Sequence, residues 1–241
     1  MWLPREDDPA GYNPELVRRP FRDRADAGAK LAAALSSYAI CHPLIIGIPR
    51  GGVPVAYQVA KELDAELDVI VARKITAPSQ PELAIGAVTA DGTTFTNAQV
   101  RALSGLSEDA LTSLTLAHRA DAHERQQSFR AGMPPVRPGG RVVIVVDDGL
   151  ATGATMMAAL RSLRRAGAER VVVAVPVASA EACARIAREV DEVVCLLQPA
   201  HFDVVSDYYE NFHQTADAEV QRFLIKQRKR RMQKTRRRGA E

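Results

Sequence analysis

The stretch that most limits how this chain can fold is Val142-Val143-Ile144-Val145-Val146-Asp147-Asp148-Gly149-Leu150-Ala151-Thr152-Gly153-Ala154-Thr155. Its opening run of β-branched residues has the composition of a strand buried on both faces. Such strands belong to parallel sheets covered by helices. The run ends on two adjacent carboxylates. A loop with two glycines and a threonine follows, and a helix then begins with a second threonine in its first turn. In open α/β sheets, ligands bind beyond the carboxyl ends of the strands, so function is to be sought in this loop.

The rest of the sequence fits the same architecture. Apolar residues at helical spacing predict a helix over Asp23–Tyr38, and Leu44–Ile48 reads as a buried strand broken by Pro49-Arg50-Gly51-Gly52. A helix over Pro54–Leu63 and a strand over Asp68–Ala72 complete a βαβ unit with parallel strands. Arg73–Asn97 reads as a loop. It has a mobile turn at Ala77–Pro81 and a short hairpin in which Ile85–Ala90 and Thr93–Phe95 flank Asp91-Gly92. A long polar helix over Ser107–Arg130 dominates a helical insertion at about 99–132. After Val142–Val146 come a helix (Ala154–Ala166), a strand (Val171–Val175), a helix (Ala178–Val190) and a strand (Val193–Leu197). This alternation predicts an α/β domain over residues 21–225, a mostly parallel twisted sheet flanked by helices. Residues 1–20 read as a polar arm. An aromatic-rich segment, Phe202–Ile225, lies outside the alternation.

Composition narrows the classes. The 241 residues are 46% hydrophobic and 25% charged, which excludes a collagen, a wholly disordered chain and a disulfide scaffold. No apolar run approaches the roughly 18 residues of a membrane helix. The N-terminus lacks the pattern of an export signal, and Cys41, Cys183 and Cys195 form no CxxC pair; both point to the cytoplasm and against structural zinc. The net charge of +3 is uneven: Lys226 to Glu241 holds nine Lys or Arg and one acid, +8, which leaves −5 for residues 1–225. Residues 226–241 therefore read as a basic, disordered tail able to attract nucleic acid without sequence preference. His118 and His123, five positions apart, do not share a helix face; like His42, His201 and His213, they read as structural.

The chemistry of the Asp147 loop follows from its parts. Glycines allow tight turns and close approach to a ligand. The free N–H groups at the helix start, with the hydroxyls of Thr152 and Thr155, form a cradle for phosphate. An anion beside the carboxylates would be repelled, so their natural partner is a sugar diol or a divalent cation. Phosphate, diol and metal together describe a phosphorylated ribose. A Walker-type phosphate loop and a GxGxxG fingerprint are both absent, which argues against an NTPase and a dinucleotide fold. A response-regulator receiver matches only in part, because its acidic pair opens the domain.

Val143 to Thr155 resembles the PRPP-binding signature of type I phosphoribosyltransferases. The resemblance implies that Asp147 and Asp148 hydrogen-bond the ribose hydroxyls. Ala151, Thr152, Gly153 and Thr155 would hold the 5′-phosphate, with Gly149 a further PRPP-binding residue of the same loop. Ile46 to Gly52 is similar to that family's pyrophosphate turn, with Arg50, Gly51 and Gly52 as its binding residues. Arg73-Lys74 look like the start of its mobile cationic loop. Arg50, Lys74, Asp147 and Asp148 are then the catalytic candidates, and Mg²⁺ would enter with PRPP, assisted by the two acids. The stretch from Phe21 to about Val220 also resembles a bacterial subgroup of the family. Its cues are Phe21 to Gly28, Pro49 to Ala56, Pro81 to Ala87 and Asp147 to Thr155.

The resemblance implies transfer of a phosphoribosyl group from PRPP to a nitrogenous acceptor with release of pyrophosphate, as in nucleotide salvage. Ala151 stands where hypoxanthine-guanine enzymes carry an Asp, and the Asp-Asp-Gly-Leu-Ala-Thr-Gly run is closer to adenine enzymes. That departure favours a base or amine needing no carboxylate from this loop. The acceptor is gripped in this family by a variable hood. The Ser107–Arg130 helix or the cluster of Phe202, Tyr208, Tyr209 and Phe212 could form it, with Phe202 as the candidate for stacking. Homodimers are common in the family. The alternative is a regulator of the same fold that binds PRPP or nucleotide and contacts nucleic acid through the basic tail.

Overall fold

The computed structural model describes residues 20–77 and 80–238. The arm at residues 1–19 and the tip of the turn at Pro78-Ser79 lie outside them. The first helix, α1 (Arg24–Ala34), is capped by Asp23, whose side chain accepts from Asp26 N. It is shorter than expected: at Ser36–Cys41 the chain tightens into a 3-10 helix. The adjacent serines compete for backbone hydrogen bonds and are poor helix formers. The strand β1 (Leu44–Gly47), the helix α2 (Gly52–Glu62) and the strand β2 (Glu66–Val69) form the βαβ unit. β2 begins two residues earlier than the sequence predicts. Asp68, an unusual strand residue, is buried there because Arg130 Nε and Nη2 each lie 2.9 Å from its carboxylate oxygens.

Five strands form a parallel sheet in the order β2-β1-β6-β7-β8, with β6 (Val142–Val146) at its centre, β7 (Arg170–Val177) and β8 (Glu192–Leu197) beyond it. Alternation divides the core. Ile45, Ile144 and Val172 face α1, α2 and the last helix. Leu44, Val143 and Val171 face α5 (Ala154–Arg165) and α6 (Ala180–Ala187). Each apolar strand residue is thus used on one face or the other, as two-sided burial requires.

Two expectations are corrected. Arg73–Asn97 is not a loop with a short hairpin but a second, three-stranded antiparallel sheet, β3 (Ala72–Ala77), β4 (Gln80–Thr89) and β5 (Thr94–Thr96). Its Asp91-Gly92 hairpin is as expected, but β3 pairs along β4 and buries Ile75 against the main body. The insertion folds as α3 (Ala98–Leu103) and α4 (Glu108–Arg130). The second correction concerns the basic tail. Residues Asp217–Arg238 form one helix, α7. Its buried Val220, Leu224 and Gln227 face the body, and the Gln227 amide donates to Ala60 O at 3.0 Å and Ala65 O at 2.8 Å. Arg230 and Arg231 donate to the carbonyls of Lys61 and Asp64, and Lys234 reaches the Asp64 carboxylate at 2.7 Å. The cations that look disordering in composition cap the end of α2 and the turn after it.

Candidate active site

The strand order makes β1 and β6 neighbours, so the turns leaving them meet. Ile48 N donates to Val146 O, and the Pro49–Arg50 peptide that follows is cis. The contact between the turns is close. A Cβ placed on Gly51 would lie 1.9 Å from Asp148 Oδ2, and one on Gly52 would lie 2.8 Å from both Asp147 Cα and Val146 O. Gly51 has φ of −63°, a value open to any residue, so room rather than conformation calls for glycine there. The glycines expected to bind pyrophosphate and the acids expected to bind ribose therefore share one cleft.

Asp147 and Asp148 are half-buried at the end of β6. Burial, and then the adjacent Asp148 carboxylate, push the Asp147 carboxyl well above the usual carboxylate range. Asp148 N also donates to Asp147 Oδ1 at 2.8 Å. Asp148 is held from the other side by a residue whose role sequence reasoning missed. Arg24 lies 2.8 Å from Asp148 Oδ2 through both Nε and Nη2. Its guanidinium sits 3.8 Å over the Phe212 ring and donates to His213 O. Tyr209 OH donates to Asp148 O at 2.6 Å. Burial pushes the Tyr209 phenol up, so it stays a neutral donor. Tyr209 and Phe212, offered as acceptor-gripping hood residues, instead brace the acidic pair with Phe21.

The phosphate cradle follows in the chain. Gly153 has φ of +68°, the left-handed region where a Cβ is strained, and supplies no side-chain cap to α5. The first-turn amides of α5 are therefore left without a side-chain cap, the arrangement that suits an anion. Ala151 and Thr152 are exposed and Thr155 is half-buried. The loop is tied down through its carbonyls: Ser179 Oγ donates to Ala151 O at 3.4 Å, and Arg185 donates to Thr152 O. Gly149 backs onto Val205, 2.5 Å from where its Cβ would be.

On the other flank, Arg50 and Arg73 line a cavity of about 190 Å³ together with Arg125 of α4 and the buried ring of Phe129. Arg73 is ion-paired with Asp121. Alternation along β3 puts exposed Lys74 on the face opposite Arg73, so the expected Arg-Lys pair is divided between two faces. Phe202 stacks on Tyr208 with centroids 5.6 Å apart. It also lines a cavity of about 700 Å³ with Ser179, Leu197, Gln198 and Pro199, next to the loop that Ser179 restrains. Another cavity, about 740 Å³, lies elsewhere, between α7 and β2, over Leu67, Met133 and Leu224. Among the described residues, no group of three or more His, Cys, Asp or Glu is placed to hold a metal ion. Two carboxylates at a strand end suit a Mg²⁺ that takes its other oxygen ligands from substrate and water. No helix among the described residues is long and apolar enough to cross a membrane.

Comparison with known proteins shows which family the chain belongs to. Two Mycobacterium tuberculosis proteins named "Putative phosphoribosyl transferase", MT0597 (strain CDC 1551 / Oshkosh) and Rv0571c (strain ATCC 25618 / H37Rv), are each 45% identical over 204 residues. The match covers 85% of this chain and 46% of theirs, so the chain spans about half the length of these curated relatives. The solved structure of TT1426 from Thermus thermophilus aligns with a TM-score of 0.74 at 42% identity, over 86% of this chain and 98% of that one. The family model described as the phosphoribosyl transferase domain matches residues 22–211, a span that includes both Arg24, which clasps Asp148, and Tyr209, which donates to its carbonyl, and the chain belongs to that family.

Proposed function

We propose that this chain transfers the 5-phosphoribosyl group of PRPP to a nitrogenous acceptor, a nucleobase or another amine, and releases pyrophosphate. The observation that carries the reading is the meeting of the Gly51-Gly52 turn with Asp147 and Asp148. In this reading Asp147 and Asp148 accept from the ribose hydroxyls. Ala151, Thr152, Gly153 and Thr155, with the first-turn amides of α5, hold the 5′-phosphate. Arg50, the backbone of Gly51 and Gly52, and Arg73 stabilise the departing diphosphate through preorganised charge. Lys74 reaches the substrate only if β3 rearranges. Asp147 and Asp148 would help hold a Mg²⁺ entering with PRPP, which when bound would supply charge neutralisation for the leaving diphosphate. The cavity beside Phe202 and Ser179 is assigned to the acceptor.

The test is thermal denaturation with PRPP, with and without Mg²⁺, on the wild type and on Asp147→Asn/Asp148→Asn. Ligand at about 100 times its dissociation constant stabilises a fold by roughly 2.7 kcal/mol. A Mg²⁺-dependent shift that the double variant lacks is the expected result, followed by a screen of bases and amines for pyrophosphate release. A folded wild type that PRPP does not stabilise refutes the proposal.

A second reading, a regulator that contacts nucleic acid, is favoured by α7, which leaves Arg228, Lys229, Lys234 and Arg236 exposed along one continuous helix. Salt-dependent binding of DNA or RNA that survives loss of the acidic pair would support it.

A further inference from the structure

The cavity bounded by Arg50, Arg73 and Arg125 holds more positive charge than the sequence pattern supplies, because its third arginine comes from the insertion. Arg125 stands on a rigid support. Its neighbour Gln126 accepts from Val71 N at 2.9 Å, Phe129 is buried, and Arg130 is paired with buried Asp68. These anchors fix α4 against the β2–β3 connection, and Arg125 is thereby aimed at the same small cavity as Arg50. The cluster is balanced from within the chain. Asp217, in the first turn of α7, lies 3.3 and 3.2 Å from Arg125 Nη2 through its two carboxylate oxygens, and 3.4 Å from Arg50 Nη1. These contacts are long for charge-assisted hydrogen bonds, and the Asp217 side chain is 49% exposed. A half-exposed pair of this kind is weak. Arg73 is balanced separately, by a close ion pair with Asp121. The site is therefore three arginines around a space of about 190 Å³, two of them, Arg50 and Arg125, loosely held by a carboxylate that a stronger anion can displace.

We propose that Arg125 is a further substrate-binding residue for the diphosphate of PRPP, and that Asp217 is an internal anion standing in its place until substrate arrives. This rests on the transferase reading above and adds to it a residue from the insertion and a competitor from α7. A diphosphate offers several charged oxygens to the arginines where Asp217 offers two. Its binding detaches the first turn of α7 from Arg50 and Arg125, so occupancy of the site is felt at the start of that helix.

The experiment measures, by calorimetric titration with Mg²⁺, the affinities of PRPP, pyrophosphate and ribose 5-phosphate. It compares the wild type with Arg125→Gln, Arg125→Lys, Asp217→Asn and Arg119→Gln, the last an exposed α4 cation outside the cavity. Arg125→Gln is expected to weaken PRPP and pyrophosphate by roughly tenfold or more while leaving ribose 5-phosphate unchanged. Arg125→Lys should recover part of the loss. Asp217→Asn should tighten PRPP and pyrophosphate by no more than about fivefold, and Arg119→Gln should change nothing. Unliganded melting temperatures confirm that every variant is folded. PRPP and pyrophosphate binding undiminished in Arg125→Gln, or weakened in Asp217→Asn, overturns the inference while leaving the transferase reading intact. Pyrophosphate binding that needs Arg125, in a protein that does not bind PRPP, upholds the anion site and refutes the transferase reading. A wild type that does not bind pyrophosphate overturns the inference.

Discussion

Replacing Gly51 with alanine tests the joint between the two halves of the site. The added Cβ would fall 1.9 Å from Asp148 Oδ2 and 2.7 Å from Asp148 Cγ. Restoring ordinary van der Waals separation requires the carboxylate to retreat by roughly 1.5 Å. That oxygen is also the one gripped by Arg24 Nε and Nη2 at 2.8 Å, so retreat breaks a charge-assisted pair that is largely shielded from solvent. Overpacking of this kind costs about 1–3 kcal/mol. The backbone gives some of it back, since φ is already −63° and alanine restricts the unfolded chain by about 0.4–1 kcal/mol. At ~2–4 °C per kcal/mol for a domain of this size, the melting temperature should fall by up to about 10 °C. The effect on ligand should be larger. A displaced Asp148 no longer meets a ribose hydroxyl, and losing a hydrogen bond to a charged group weakens binding by roughly tenfold to a hundredfold. Gly52→Ala meets backbone atoms that cannot swing aside, so it should be the less stable of the two variants. The assay is thermal denaturation of both variants with and without PRPP and Mg²⁺. A Gly51→Ala protein that melts with the wild type and is equally stabilised by PRPP would show that the turn and the acids are not in contact.

The remaining predictions concern charge and the last helix. The Asp147 carboxyl is raised, so the folded state binds its proton more tightly than the unfolded chain does. Stability from this group is full below the ordinary carboxylate pKa and falls as pH rises toward the folded-state value. Asp147→Asn should therefore melt higher than the wild type at neutral pH, with the gap closing toward pH 4, while PRPP binding is lost; a gap independent of pH would refute the cause. Arg130→Met strips the guanidinium from buried Asp68, and breaking such a pair costs about 3–5 kcal/mol. Val69 N at 2.8 Å and Val136 N at 2.9 Å still reach that carboxylate and place the expected loss toward the lower end, checked by urea denaturation. Truncation after Ile225 should destabilise the fold measurably, because it removes Gln227 from between Ala60 O and Ala65 O; a truncated protein of wild-type stability would restore the tail to a dispensable role.

What the sequence makes legible here is whatever depends on neighbouring residues. The run Val142–Val146 announces a central parallel strand because two-sided burial needs apolar residues at every position, and β6 is the middle strand of five. Asp147, Asp148 and Gly153 are contiguous with it, so their place at the strand end follows from chain connectivity. The polar α4 was legible as one long helix over Ser107–Arg130, and in the structure Ser107 caps its start. The third strand of the antiparallel sheet was not, because β3 carries adjacent Arg73 and Lys74 and only one large apolar residue, Ile75, and so gives little of the apolar signal of a strand. Nor was α7: its nine C-terminal cations dominate its composition, while the residues that dock it fall at Val220, Leu224 and Gln227, four and then three positions apart, the last a buried glutamine that no hydrophobic pattern reveals.

The supports of the acidic pair were illegible for a different reason. Arg24 lies 124 positions before Asp148, and Tyr209 lies 61 after it. Nothing local in Phe21-Arg22-Asp23-Arg24 separates the arginine that caps a carboxylate from the one that faces water. The distinction comes from Phe212, which covers the Arg24 guanidinium, and from Glu210 N and Asn211 N, which donate to Phe21 O and Arg22 O. The aromatic segment after β8 thus closes on the start of α1, and only that closure brings a cation to the acids. Two adjacent carboxylates at a half-buried strand end repel each other. A fixed arginine on Asp148 lowers that repulsion and leaves Asp147 as the group that carries the remaining strain. The geometry of the acidic pair therefore depends on parts of the chain far from Val143–Thr155.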